Sequence, residues 1–237
     1  MVSEKIQNLF DNAKKIVFMT GAGVSTASGI PDYRSKGGLY TNSSLDQPEY
    51  LLSHTCFETD PKRQYDFMKR EMYFPNAKPN IIHQKMADFA KRGKARVITQ
   101  NVDGLHTKLD PTTIEFHGSL YRVYAPKDHK KSPVKEYLNS MYRKSDHAIL
   151  RPDITFYEEM PQHVEEAIKV VSQADMVVVV GTSFVVYPFA GLINYAKPDV
   201  PKISINMQKI GGGSNIKQIV GNAVDFFTDL KVNSKIN

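Results

Sequence analysis

Apolar residues along this chain recur at two spacings, and each spacing predicts an element. From Ser3 to Asn12, Ile6, Leu9 and Phe10 fall at helical intervals, with Ser3 placed to cap the helix. Lys15 to Thr20 (KIVFMT) is a short, β-branched run that stops at a glycine, which predicts a buried strand. His83 to Arg92 predicts a helix ending at Gly93, and Arg96 to Thr99 (RVIT) a strand. Val164 to Gln173 is the next helix, and Met176 to Val180 (MVVVV) has the character of a central strand. Lys202 to Asn206 (KISIN) is a further strand, and Asn222 to Leu230 closes the chain as an amphipathic helix. Strands that are apolar throughout and separated by helices imply a parallel sheet covered on both faces. The predicted fold class is therefore α/β, a doubly wound parallel sheet.

Two segments break this alternation. Residues 41–79 carry turn residues and an amphipathic patch from Tyr65 to Phe74, which predicts a helical insertion. Residues 124–150 are polar and lysine-rich. The two are expected to form a small accessory module beside a main domain made of 1–40, 80–123 and 151–237.

Composition narrows the class. With 237 residues, 41% of them hydrophobic, the chain can bury a substantial core. The net charge of +6 favours acidic partners, but the basic residues are dispersed. The densest group, Lys127, Lys130, Lys131 and Lys135, is interrupted by Asp128 and Pro133, so nucleic acid is not the favoured partner. No apolar run approaches a membrane span, and the opening MVSEKIQNLF lacks the regions of a signal peptide. The single cysteine, Cys56, excludes an intramolecular disulfide and a multi-cysteine metal site. A cytoplasmic protein is expected.

Four short segments carry candidate chemistry. TGAGVSTASGIPDYRS, Thr20 to Ser35, follows the first strand; Gly21 and Gly23 permit a tight turn and close approach to a phosphate. A helix starting near Ser25 would aim its free amides at that phosphate. The third glycine of the dinucleotide fingerprint is missing and no strand-end acid stands at the usual distance, so these glycines alone also fit a plain turn. TQNVDGLH, Thr99 to His106, sets Gln100, Asn101 and Asp103 at the end of a strand, where they suit a carboxamide or ribose hydroxyls; a simple Asn-Asp-Gly turn explains them equally. EFHG holds His117, a residue type able to take a proton from a hydroxyl at neutral pH, or to serve as a structural hydrogen-bonding group. GTSFVVYP, Gly181 to Pro188, offers the hydroxyls of Thr182 and Ser183 at a strand tip.

Taken in order, GAGVSTASGIPDYRS, TQNVDGLH, FHG, LRPDITFYEE, GTSFVVYP and SIN resemble the sirtuin family of NAD-dependent protein deacylases, over nearly the whole chain from about Lys15 to about Leu230. The resemblance implies a Rossmann-like domain with NAD across the strand ends. It places Gly21, Ala22, Gly23 and Thr26 by the pyrophosphate. Tyr33, Arg34, Gln100, Asn101, Val102 and Asp103 belong around the nicotinamide and its ribose, and Gly181, Thr182, Ser183, Asn206 and Val224 along the adenosine half. It implies His117 as catalytic base, with Asn101 beside it. The acyl group of a modified lysine passes to ADP-ribose and nicotinamide is released, acting also as an inhibitor. Ile154, Thr155, Phe156 and Tyr157 are expected to pair with the substrate peptide as an added strand.

Departures from the family pattern sharpen the expectations. Most sirtuins hold a structural zinc with four cysteines, and here Ala125, Asp128, Arg143 and Asp146 stand at those positions. Zinc is expected to be absent, with Asp128, His129, Asp146 and His147 as the only residual candidate ligands. Tyr33 replaces a phenylalanine. Glu158 replaces a glycine beside the peptide groove, where its carboxylate is expected to favour basic peptides. Some sirtuins that remove acidic acyl groups use a tyrosine and an arginine three residues apart in the insertion; Phe67 and Arg70 have that spacing without the hydroxyl. The alternatives are a mono-ADP-ribosyltransferase, an NAD hydrolase, an idle NAD sensor and, least favoured, a nucleic-acid binder.

Overall fold

In the computed structural model, which describes residues 2–33, 35, 37–40, 48–211 and 215–233, side-chain caps set the starts of several helices. Ser3 accepts from the Ile6 amide and opens α1 (Glu4–Asn12). The elements that follow are β1 (Ile16–Thr20), α2 (Pro48–Leu51), α3 (His54–Thr59), α4 (Pro61–Glu71), α5 (Ile81–Lys91), β2 (Ala95–Thr99), β3 (Ile114–Glu115), β4 (Gly118–Tyr124) and β5 (Lys131–Ser132). Then come α6 (Val134–Asn139), β6 (Arg151–Ile154), α7 (Val164–Ser172), β7 (Met176–Val180), β8 (Lys202–Asn206), β9 (Lys217–Val220) and α8 (Ala223–Asp229). Helix α5 starts two residues before the predicted His83. Asn80 caps it through Ile82, and His83 reaches back to the Asn80 amide, closing the first turn instead of opening the helix.

Six strands form one parallel sheet in the order β3-β2-β1-β7-β8-β9. The chain runs outward from β1 to β3, then crosses to β7 and runs outward the other way. Strands β1 and β7 therefore flank the reversal, whose carboxyl-end crevice is where such sheets bind ligands. Ile16 and Phe18 of β1 pack with Phe10, Phe89 and Phe227 on one face. Val17 and Met19 pack with Val171, Phe189 and Leu192 on the other. Burial on both faces is why the strand sequence shows no polar alternation.

The sequence pattern did not show β9 or a second sheet. Strand β9 (KQIV) is a half-exposed edge with polar residues at its start. A three-stranded antiparallel sheet, β5-β4-β6, packs with α2, α3, α4 and α6 around Phe57, Phe67, Met68, Tyr137 and Phe156. Within residues 48–71 the chain forms three helices, α2, α3 and α4.

Candidate active site

At the reversal the loops after β1 and β7 interlock. A Cβ on Gly21 would lie 2.6 Å from the Thr182 Cβ, and one on Gly23 would lie 2.8 Å from the Gly181 Cα. The amides of Gly21 and Gly23 donate to the carbonyls of Val180 (3.1 Å) and Gly181 (2.8 Å). The glycines thus serve loop-to-loop packing, and their amides are engaged by protein. The helix expected from Ser25 is also absent: residues 22–24 and 26–28 form two short 3₁₀ turns that end at Gly29 in the left-handed region. No α-helix dipole points at the crevice from this loop. Asn80 fixes the loop by donating to the Val24 carbonyl (2.8 Å) and the Ser28 hydroxyl (2.9 Å).

Below the interlocked loops lies a cavity of about 760 Å³, within the range of small-molecule sites. Gly21, Ala22, Gly23, Thr26, Tyr33, Gln100, Asn101, Val102, His117, Gly181, Thr182, Ser183, Asn206 and Val224 all line it, as do Ile154, Thr155, Phe156 and Tyr157. Arg34 lies outside the described residues. Gln100 donates to the Thr182 hydroxyl at 3.0 Å, joining the β2 and β7 strand ends. Asn206 accepts from the Thr182 amide at 2.8 Å, while its Nδ2 is buried without a partner among the described residues. A buried donor left unpaired on a cavity wall is costly unless a ligand acceptor meets it, so this wall fits a polar cofactor such as a nucleotide.

Asp103 belongs to a hydrogen-bonded triad. The Ser25 hydroxyl donates to its Oδ2 at 2.6 Å, the Leu105 amide donates to its Oδ1 at 2.8 Å, and Asn101 Nδ2 donates to the Ser25 oxygen at 3.0 Å. Burial pushes the Asp103 carboxyl up, against the opposing pull of these hydrogen bonds. Asp103 lines a side pocket of about 40 Å³ that shares Ala22, Tyr33, Asn101 and Val102 with the main cavity.

His117 is placed by its backbone. The Thr155 amide donates to its carbonyl at 2.9 Å, and the following Gly118 has φ +81°. A Cβ on Gly118 would meet the Asp153 carbonyl oxygen at 2.0 Å, so only glycine lets β4 start here against β6. The imidazole lies edge-on to Phe116 and against Phe189. Burial pushes its pKa down to about 4, opposed by a hydrogen bond to the Gln100 backbone. The ring is therefore neutral at pH 7 and able to accept a proton.

Known proteins similar to this chain are numerous. The Sir2 family model matches residues 21–188. The chain belongs to the Sir2 family. A protein of Lactiplantibacillus plantarum named NAD-dependent protein deacetylase is 45% identical over 95% of this chain and 97% of its own length. One of the same name from Enterococcus faecalis is 46% identical, covering 81% of each chain. Among solved structures, a Sir2 variant with deacetylated p53 peptide and 3'-O-acetyl ADP ribose superposes with a TM-score of 0.88 at 28% identity, covering 96% of both chains. A Sir2 with p53 peptide and NAD+ gives 0.83 at 29%, again covering 96% of both.

In this Sir2 chain the wall expected to take the peptide has most of its amides engaged. Those of Thr155, Phe156 and Tyr157 donate to the His117 carbonyl, the Glu159 carboxylate and the Leu52 carbonyl, and the Tyr157 carbonyl accepts from His54. An added strand must pair through other groups of the wall. Glu158 adopts φ +76°, a conformation that favours the family's glycine. Its carboxylate accepts from the Thr55 amide (2.9 Å) and hydroxyl (2.8 Å), which hold it below the usual carboxylate range. It is fastened to the insertion instead of standing free to recruit a basic peptide. Phe67 is buried in the small core and Arg70 is exposed beside Glu71, and neither lines the cavity.

Three site residues escaped the sequence reading. Ser25 was legible only as a helix start, yet it bridges Asn101 and Asp103. Asn80, which holds the loop after β1, lies outside the predicted His83–Arg92 helix and carried no signal. Tyr40, which lines the cavity, shares a 3.0 Å hydroxyl contact with Tyr157, and nothing local in GLY announces it.

Proposed function

We infer that this Sir2-family chain is an NAD-dependent protein-lysine deacetylase that passes the acyl group of a modified lysine to ADP-ribose and releases nicotinamide. One observation carries the reading: a neutral imidazole, His117, shares a single cavity with Asn101 of the Ser25–Asp103 triad and the unpaired Asn206 amide. When bound, NAD supplies the ribose that accepts the acyl group and the nicotinamide that leaves. Gly21, Ala22, Gly23 and Thr26 form the wall beside its pyrophosphate, and Gly181, Thr182, Ser183, Asn206 and Val224 the wall along its adenosine half. Tyr33, Gln100, Val102 and Asp103 would surround the departing ring, where the Asp103 carboxylate, anchored by Ser25 and Leu105, suits a carboxamide donor; Arg34, expected beside them, lies outside the described residues. His117 takes the proton of a ribose hydroxyl, with Asn101 holding the neighbouring polar groups in place. Ile154, Phe156 and Tyr157 form the peptide wall, which Leu52 and His54 of the insertion meet through backbone hydrogen bonds to Tyr157. Among the described residues no helix is long and apolar enough to cross a membrane. The single, buried Cys56 supports a cytoplasmic setting.

The test incubates the protein with NAD and an acetyl-lysine peptide. Peptide-dependent nicotinamide release together with O-acyl-ADP-ribose is the expected result. Release without peptide makes the protein an NAD hydrolase, transfer of ADP-ribose to protein makes it a transferase, and no release refutes all three.

A further inference from the structure

The four positions where the family's zinc cysteines fall are joined by a different device. They lie in two turns, one after β4 and one before β6. Ala125 contributes no donor side chain. Arg143 reaches between the turns and holds both aspartates: Nη1 and Nη2 donate to Asp128 Oδ1 (3.1 Å) and Oδ2 (2.8 Å), while Nε and Nη2 donate to Asp146 Oδ1 (2.8 Å) and Oδ2 (2.7 Å). All four carboxylate oxygens thus accept from one guanidinium, the bidentate geometry that arginine alone among cationic side chains provides twice over. The arginine side chain is only 11% exposed. The turns are tied to this centre by their own backbones, through the Lys130 amide on Asp128 and the Ala148 amide on Asp146. The two residual histidines face elsewhere: His129 stacks on Tyr124 and His147 lies against Tyr142. A divalent ion has no place here, because a fixed cation already stands between the only two carboxylates and the remaining position is an alanine. Among the described residues no cluster of three metal-ligating side chains exists.

We propose that Arg143 takes over the structural work of a metal ion, making the folding and the activity of this protein independent of divalent metal and of thiol chemistry. The second half follows from Cys56. The only thiol in the chain is fully buried, and burial pushes its pKa up, so it is neither a thiolate nor accessible to reagents. A zinc–thiolate site fails when ligands are protonated, oxidised or the ion is chelated; the arginine clasp has no thiolate to oxidise and no ion to chelate. Its own pH limit lies lower. Arg143 holds Asp128 down to about 2 and Asp146 lower still. A depressed carboxyl stabilises fully above its unfolded value, about 3.9, and loses that contribution as pH falls through the folded value. The clasp is therefore intact through the whole neutral and mildly acidic range.

The test uses tag-free full-length protein and reads melting temperature and metal content as well as deacetylation, so failure of the deacetylase reading leaves it intact. EDTA, 1,10-phenanthroline and N-ethylmaleimide should each leave melting temperature and activity unchanged, and purified protein should carry well below one zinc per chain. Arg143→Met leaves two carboxylates facing each other and should lower the melting temperature by at least about 4 °C, with Arg143→Lys in between. If Arg143→Met does not fold, Asp146→Asn gives the milder loss in the same direction. The quadruple variant Ala125→Cys, Asp128→Cys, Arg143→Cys, Asp146→Cys should bind one zinc and become sensitive to phenanthroline. A chelator-induced fall in the melting temperature of the parent protein, or an Arg143→Met variant melting within about 1 °C of it, overturns the proposal.

Discussion

Gly118→Ala tests whether His117 is held by the strand start that follows it. Two penalties add. At φ +81° an alanine sits in the left-handed region, which costs about 1–2 kcal/mol for an L residue. The new Cβ would stand 2.0 Å from the Asp153 oxygen, where contacts under 3.0 Å essentially never occur. Strands β4 and β6 must separate locally by about 1 Å, straining the Gly118–Ile154 pair and the Thr155–His117 backbone bond, each hydrogen bond contributing about 1 kcal/mol. The total is roughly 2–4 kcal/mol, or a fall of roughly 5–15 °C in melting temperature at about 2–4 °C per kcal/mol. A 1 Å displacement of the base predicts a loss of about 100-fold in kcat/KM. Gly93→Ala is the internal control. It shares a positive φ of +69° but its Cβ meets nothing within 4 Å, so it should lose only the left-handed penalty of about 1–2 kcal/mol and no activity. Calorimetry and deacetylation kinetics on the two variants decide the matter. If Gly118→Ala melts with Gly93→Ala and keeps activity within twofold, steric exclusion at Asp153 does not position His117.

Four further outcomes are expected. His117→Ala should lower deacetylation by about two to four orders of magnitude with little change in NAD affinity by calorimetry; because the base works unprotonated and its folded pKa is about 4, the parental rate attributable to it should be level near neutrality and fall as pH drops through that value. Asp103→Asn should slow nicotinamide release and weaken product inhibition, and an unchanged nicotinamide inhibition constant removes Asp103 from that pocket. His83 is buried neutral with its pKa pushed down to about 4 by desolvation, so the unfolded chain binds more protons below the unfolded value, about 6.5, and stability should fall by about 1.4 kcal/mol per unit between those limits; urea melts of His83→Gln should show a shallower pH slope. With Arg70 on the surface, acetyl-lysine or aliphatic acyl-lysine peptides should outcompete succinyl-lysine, and a succinyl preference abolished by Arg70→Met contradicts the placement of Arg70.

Much of this protein is legible in the chain itself. Unbroken apolar runs ending at glycine announce strands buried on both faces, and Ser3 announces the start of α1, because a helix cap or a strand period involves residues only a few positions apart. The co-linear segments around Gly21, Asn101, His117 and Ser183 were enough to group the cavity wall. What only the tertiary structure decided is which partner each group meets across the fold. Gly21 and Gly23 suggested a phosphate approach, yet it is the β7 loop, some 160 positions away, that excludes a side chain there. Ser25 gains its role only when β2 brings Asn101 and Asp103 beside it. Glu158 carries a charge whose direction Thr55 determines. Asp128, Arg143 and Asp146 stood in the sequence as missing ligands and proved to be one another's partners. Spacing along the chain records local backbone geometry, whereas the hydrogen-bond partner of a side chain depends on the packing of distant strands, which no local pattern encodes.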